Sequence, residues 1–142
     1  MSIILAQSVI NELAKEIALG KTCYIHRYTT KVTIIDESIE DPTVAASQKQ
    51  VQTEIEKKIE DYVRIDQPNR ENELMIMRDF LEDLPDRSIR KQLSNALNRK
   101  NPYRNFMQAV ESDIELNQHW KNFNIKAYQQ WVSNVIIDAY NY

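Results

Sequence analysis

A single glycine, Gly20, serves a chain of 142 residues, and that scarcity limits the chain's chemistry before any pattern is read. Phosphate-cradling loops, nucleophile elbows and dinucleotide fingerprints all need glycine at fixed spacing. An average soluble domain carries about 7% glycine, so the chemistries carried by glycine-rich loops are excluded, and binding through helix surfaces or a sheet edge comes to the front. One cysteine, Cys23, leaves no internal disulfide. No apolar run approaches the roughly 18 residues of a membrane span, and Glu12, Lys15 and Glu16 interrupt any signal-like apolar stretch near the start. A soluble protein of the reducing cytoplasm, without membrane attachment, is the expectation. The net charge of −3 argues against a general nucleic-acid binder, so any polyanion site must be local.

Periodicity divides the chain into a mixed first part, 1–68, and a helical second part, 69–142, within one expected domain. Ile3, Ala6, Ile10, Leu13, Ala14 and Ile17 form a helical stripe, with Ser2 as N-cap and Gly20 just past the end. Alternation at Cys23 to His26 and a β-branched run from Lys31 to Ile35 predict a hairpin. Asp41 and Pro42 open a helix with Val44, Val51, Ile55 and Ile59 on its apolar side, ending near Asp61. Tyr62 to Asp66 supplies a third strand, closed by Pro68.

About five helices follow. The first carries Leu74, Met77, Phe80, Leu81 and Leu84 and is stopped by Pro85; Asp86 caps the next, lined by Ile89, Leu93, Ala96 and Leu97. Residues Asn98 to Pro102 break the chain before a helix with Tyr103, Phe106, Met107 and Val110. Ser112 and Glu115 read as a capping box for a helix with Leu116, Trp120 and Phe123, and Tyr128 to Ala139 as a separate last helix. The fold class is α+β, mostly helical, with a small antiparallel sheet in the first half.

Met77-x-x-Phe80, Leu93-x-x-Ala96-Leu97, Tyr103-Arg104-Asn105-Phe106, His119-Trp120-x-x-Phe123 and Trp131, together with the Cys23 to His26 and Tyr62 to Asp66 strands, resemble the bacterial uncharacterised protein family 0158 (UPF). Where that family has a glycine before its aromatic-basic-Phe segment, this chain has Asn98 and Asn101, and where it often has two basic residues, this chain has Arg104-Asn105. Asparagine tolerates the left-handed conformation such a position needs. The resemblance implies a fold and no activity.

The strongest candidate site is the acid-free run holding Arg87, Arg90, Lys91, Arg99, Lys100 and Arg104. Arginine forks, and the free N–H groups of the helix opened by Pro102, suit an anion, and Tyr103 is a candidate for stacking on a base. The competing interpretation is a solvated helix side at Arg87 and Lys91, with Arg99 and Lys100 complementing a helix C-terminus. Catalytic constellations are weaker. His26 lies three positions after Cys23, an odd offset that sends them to opposite faces of a strand. His119 lacks the companions of a zinc site. The acidic loop of Asp36, Glu37, Glu40 and Asp41 lacks the glycine of a calcium loop, and Glu82, Asp83 and Asp86 read as a helix end and cap. The chain is therefore read first as a protein-interaction or regulatory module with an unknown protein partner and no cofactor, second as a nucleic-acid or phosphate binder, and third as an enzyme. Trp120 and Trp131 are expected to be buried, and Cys23 to tolerate serine if it lies at the rim of the sheet.

Overall fold

The computed structural model describes residues 5–140. It is an α+β, mostly helical fold with a three-stranded antiparallel sheet. Two compact units are drawn from Met1–Gln67 with Tyr128–Tyr142 and from Pro68–Ala127.

In the first unit, α1 (Gln7–Ala18) precedes β1 (Thr22–His26) and β2 (Val32–Ile35). The Ser2 cap lies outside the described residues; Ala6 stands at the N-cap without a side-chain bond. Gly20 adopts φ +93°. Its N–H donates to Ile17 at 3.0 Å and that of Lys21 to Glu16 at 3.2 Å, the paired bonds of a Schellman end, which require a left-handed residue there. The helix α2 (Pro42–Lys57) follows, capped by the Asp41 carboxylate, then a 3₁₀ turn (Ile59–Asp61) and β3 (Tyr62–Ile65). The strand order is β2-β1-β3, with Cys23 opposite Ile34 on one side and Ile65 on the other.

Because β1 is central, its alternation serves two cores. Cys23 and Ile25 pack with Leu13, Ile17, Val63 and Ile65, and with Tyr128, Val132 and Ile136. Tyr24 faces the other way, onto Ile35 and Ile55.

The apolar side expected for α2 is not what the helix buries. Val44, Val51 and Ile59 remain 42%, 43% and 38% exposed, and Ile55 alone is buried. Toward the sheet the helix instead directs Gln48, Gln52 and Ile55, at i, i+4 and i+7. The Gln48 amide bonds the Asp36 main chain in both directions, at 2.9 and 3.1 Å, and Gln52 donates to the Tyr24 hydroxyl at 3.0 Å. That hydroxyl donates to Glu56 at 2.6 Å. Arg64 then bonds both Glu56 and Asp66, with its guanidinium 5.6 Å from the Tyr24 ring centroid. Amide and carboxylate contacts therefore dock α2 where a leucine row would do so in a more ordinary helix.

The second unit holds α3 (Arg70–Glu82, capped by Asn69), α4 (Arg87–Leu97, capped by Asp86) and α5 (Pro102–Glu111). The last helix, α6 (Ile114–Tyr140), is one helix of 27 residues. It replaces the two helices expected here, so four helices follow Pro68 among the described residues. Neither proline nor glycine interrupts 114–140, so nothing ends the helix at the expected junction. The capping box is also corrected: Asp113 accepts from Leu116 N–H at 3.0 Å, whereas Ser112 donates to Ala109 carbonyl at 2.7 Å and closes α5. No described helix is long and apolar enough to cross a membrane.

Trp120 is buried among Phe80, Phe106 and Phe123, as expected. Trp131 is only half-buried, with its indole N–H donating to the Asp66 carbonyl at 3.1 Å. Trp120→Ala should therefore cost about 3 to 5 kcal/mol in urea unfolding and Trp131→Ala about 1 to 2 kcal/mol; equal losses would contradict this difference. Cys23 is fully buried rather than at a rim. Cys23→Ser should thus destabilise by about 1 to 3 kcal/mol, through a hydroxyl left without a partner in an apolar core, and an unchanged unfolding midpoint would count against that.

The clasp on α2 predicts a pH dependence. The Tyr24 hydroxyl, and then Arg64, hold the Glu56 carboxyl below its usual range. Folded Glu56 thus binds its proton less tightly than unfolded Glu56, so its contribution is present above the ordinary glutamate value of about 4.3 and is lost as pH falls through the lower folded value. The stability gap between wild type and Tyr24→Phe should narrow over that range in urea titrations. A gap that is constant with pH would disconnect Glu56 from the tyrosine.

Candidate functional site

The six basic residues of the acid-free run fall on a helical hairpin. Arg87, Arg90 and Lys91 belong to α4, Arg99 and Lys100 to the turn, and Arg104 to α5. Asp86 starts α4 by accepting from Ser88 and Ile89 N–H at 2.8 and 3.2 Å, while Leu93 and Leu97 bury its opposite side. The turn closes through Asn101 at φ +60°, the left-handed residue that asparagine permits, whereas Asn98 stays at φ −90°. Asn105 locks the connection by donating to the Lys100 carbonyl at 2.8 Å. Pro102 takes the first position of α5, and Phe106 and Val110 anchor that helix.

Between the two helices runs a groove of about 400 Å³. Its floor is small, Ala96 against Ala109, and its walls carry Gln92, Asn95, Asn105 and Gln108 with Arg99. At about 100° per residue, Lys91 lies about 40° outward of Asn95 on α4, and Arg104 about 40° outward of Gln108 on α5. Arg87, one turn before Lys91, shares its shoulder. Arg99 thus lines the groove, and Arg87, Lys91 and Arg104 flank it, all four exposed. Arg90 does not join them: it is half-buried, beside Leu93 and Leu97 on the far flank of α4. Lys100 lies in the turn, its carbonyl taken by Asn105. None of the six takes part in an ion pair among the described residues. The amide side chains that complete the groove carry no signal as a charge pattern; the i, i+3, i+4 spacing of Gln92, Asn95 and Ala96 against Asn105, Gln108 and Ala109 is the signal that would show them on facing sides.

One face of the Tyr103 ring is already occupied. The Arg70 guanidinium covers its ring at 3.8 Å, and Arg70 is itself paired with Glu73 at 2.9 Å.

The remaining reactive side chains are engaged in structure. Burial pushes the Cys23 thiol up to about 11, so it stays protonated at neutral pH and is a poor nucleophile. It points into the core with Ile25, while His26 lies on the opposite face against Tyr62, with ring centroids 5.0 Å apart. His119 is 3.1 Å from the Asp83 carboxylate, and its ring meets Phe80 edge to face. Burial and the bond to Glu56 raise the Tyr24 hydroxyl. The acidic loop folds on itself, with Asp36 accepting from the Ser38 hydroxyl and N–H, which lowers its carboxyl. Asp41 is spent as the α2 cap. Among the described residues, no three His, Cys, Asp or Glu side chains are grouped so as to hold a metal ion.

Comparison with known proteins agrees with the resemblance read from the sequence. The chain is 25% identical over 115 residues to a UPF0158 protein of Pseudomonas aeruginosa, an alignment covering 81% of this chain and 71% of the relative. No solved structure matches it. The profile of the Uncharacterised protein family (UPF0158) covers residues 1–139, and the chain belongs to that family.

Proposed function

We propose that the chain is a protein-interaction module whose α4–α5 groove receives an extended acidic segment of a partner protein. The lining carries this reading. Four amide side chains and Arg99 stand over an alanine floor, between shoulders bearing Arg87, Lys91 and Arg104. Amides offer a donor and an acceptor each, which suits a peptide backbone. Unpaired guanidinium and ammonium groups on the shoulders suit carboxylates, and set orientation and encounter rate more than raw affinity.

A single-stranded nucleic acid is the second reading, supported by the same cations. It is disfavoured because such sites pair a basic track with aromatic faces on which bases stack. Here Phe106 is fully buried and one face of Tyr103 is covered by Arg70. The cytoplasm is the compartment we propose, since a buried, unpaired thiol suits a reducing environment.

The test measures fluorescence anisotropy of the whole chain with a labelled glutamate-rich peptide of about ten residues, long enough at about 3.3 Å per residue to overrun the groove. A labelled oligouridylate serves as competitor. The peptide should bind, more weakly as salt rises, and the combined change Lys91→Gln, Arg99→Gln and Arg104→Gln should weaken it by roughly tenfold or more with an unchanged thermal midpoint. Equal binding by the variant would remove the groove from the mechanism. Preference for the oligouridylate, with a salt slope that falls by roughly 0.7 for each phosphate the variant no longer neutralises, would establish the nucleic-acid reading instead.

A further inference from the structure

A second concavity lies within the first unit, between α2 and the outer face of the sheet, and it has no part in the reading above. It holds about 390 Å³, within the size range of small-molecule sites. One wall is apolar, formed by Val51 and Ile55 of α2 and by Tyr62 of β3. The other is rich in donors: His26, Thr29 and Lys31 from the hairpin, and Lys58 where α2 ends.

Three observations single these groups out. The lysines are uncommitted, since neither Lys31 nor Lys58 takes part in an ion pair among the described residues, while the one acidic residue of the lining, Glu54, is paired with Lys57 at 3.3 Å. The histidine is preset. Its Nδ1 accepts from the N–H groups of Tyr28 and Thr29, each at 3.2 Å, which leaves the ring hydrogen on Nε2 and the ring fixed edge-on against Tyr62. The hairpin turn also holds Thr30 at φ +60°, a conformation uncommon for a β-branched residue. On either side of it, Thr29 and Lys31 both line the hollow.

We propose that this cleft binds a small aromatic phosphate monoester, a free molecule of about nucleoside monophosphate size. Two ammonium groups, an imidazole N–H and the Thr29 and Thr33 hydroxyls supply more donors than one carboxylate can use, and they match the three acceptor oxygens of a phosphate carrying close to two charges. The Val51, Ile55 and Tyr62 wall takes the flat apolar body, adding affinity that inorganic phosphate cannot obtain. The site shares no residue with the α4–α5 groove, and either can fail without the other.

The experiment is an NMR titration of the whole labelled chain with phenyl phosphate, adenosine monophosphate, inorganic phosphate and phenol in separate arms. Phenyl phosphate and adenosine monophosphate should shift the amides of Thr29, Lys31, Ile55 and Lys58 and the His26 ring saturably, and inorganic phosphate and phenol should each bind at least roughly tenfold more weakly. The exposed pair changed together, Lys31→Gln and Lys58→Gln, should lose roughly tenfold or more of the phenyl phosphate affinity without moving the thermal midpoint. Val51→Trp, which fills the hollow from a position already 43% exposed, should abolish binding. Arg99→Gln should titrate as wild type. The proposal is overturned by the absence of saturable shifts at these residues, by shifts that map to Arg99 and Arg104, by phenol binding as well as phenyl phosphate, or by full affinity in the double lysine variant.

Discussion

Phe80 is the residue on which the second unit depends. Its ring has no exposed surface and meets Phe106 at 6.2 Å, His119 at 5.1 Å, and Trp120 and Phe123 at 5.3 Å, the first three of them edge to face. Aromatic rings in that relation add directional attraction to their buried area, so one side chain of α3 sets the positions of α5 and the start of α6. With α5 fixed from behind through Phe106, its far side is left to polar residues. The hairpin with α4 can then carry a floor of alanines and walls of amides, because neither helix needs that side for its own burial.

The first unit solves a different problem. A three-stranded sheet with one apolar face needs a cover on the other only if residues such as Tyr24 are to be buried, and α2 provides that cover with few apolar side chains. Tyr24, Gln52, Glu56 and Arg64 form a closed polar chain in which donors and acceptors are matched. Matched polar contacts of this kind specify one docking geometry more strictly than an oily stripe, which can slide. They also leave Val44 and Val51 partly in solvent and keep the helix from closing flat onto the hairpin. Val51 also lines the hollow between α2 and the sheet.

Much of the fold is legible in the sequence because its signals are local. Gly20, Asp41, Pro42, Asp86 and Pro102 do what their residue types do at helix ends, and the alternation in β1 places Cys23 and His26 on opposite faces as the strand requires. The misreadings have two causes, a competing local signal and tertiary contact that overrides a local pattern. Ser112 followed by Glu115 fits a capping box, yet the neighbouring Asp113 carboxylate takes the helix start. Val44, Val51 and Ile59 have helical spacing, but glutamines find better partners on the sheet. The segment 112–140 invites division on composition, although nothing within 114–140 can end a helix. At the candidate groove the charges are visible and the amides are not, since uncharged polar residues have no run or period that distinguishes a lining from an ordinary surface.

The charges of this chain, −3 in net, are unevenly spread along it. Lys15, Lys21, Lys57, Arg64 and Arg70 are each matched to a carboxylate within 3.5 Å, whereas the six cations of the acid-free run, like Lys31 and Lys58, join no ion pair among the described residues. Such exposed pairs add little stability, but they cancel field locally. Between Arg87 and Arg104 the sequence contains no acid at all, so the α4–α5 hairpin keeps its positive potential close to the surface. At physiological salt that potential fades within about 8 Å. Charges farther away than that, of either sign, contribute little to the field at the groove. The field at the groove is therefore set by the hairpin's own side chains, and the proposed acidic partner would be recognised through them and not through the net charge of the chain.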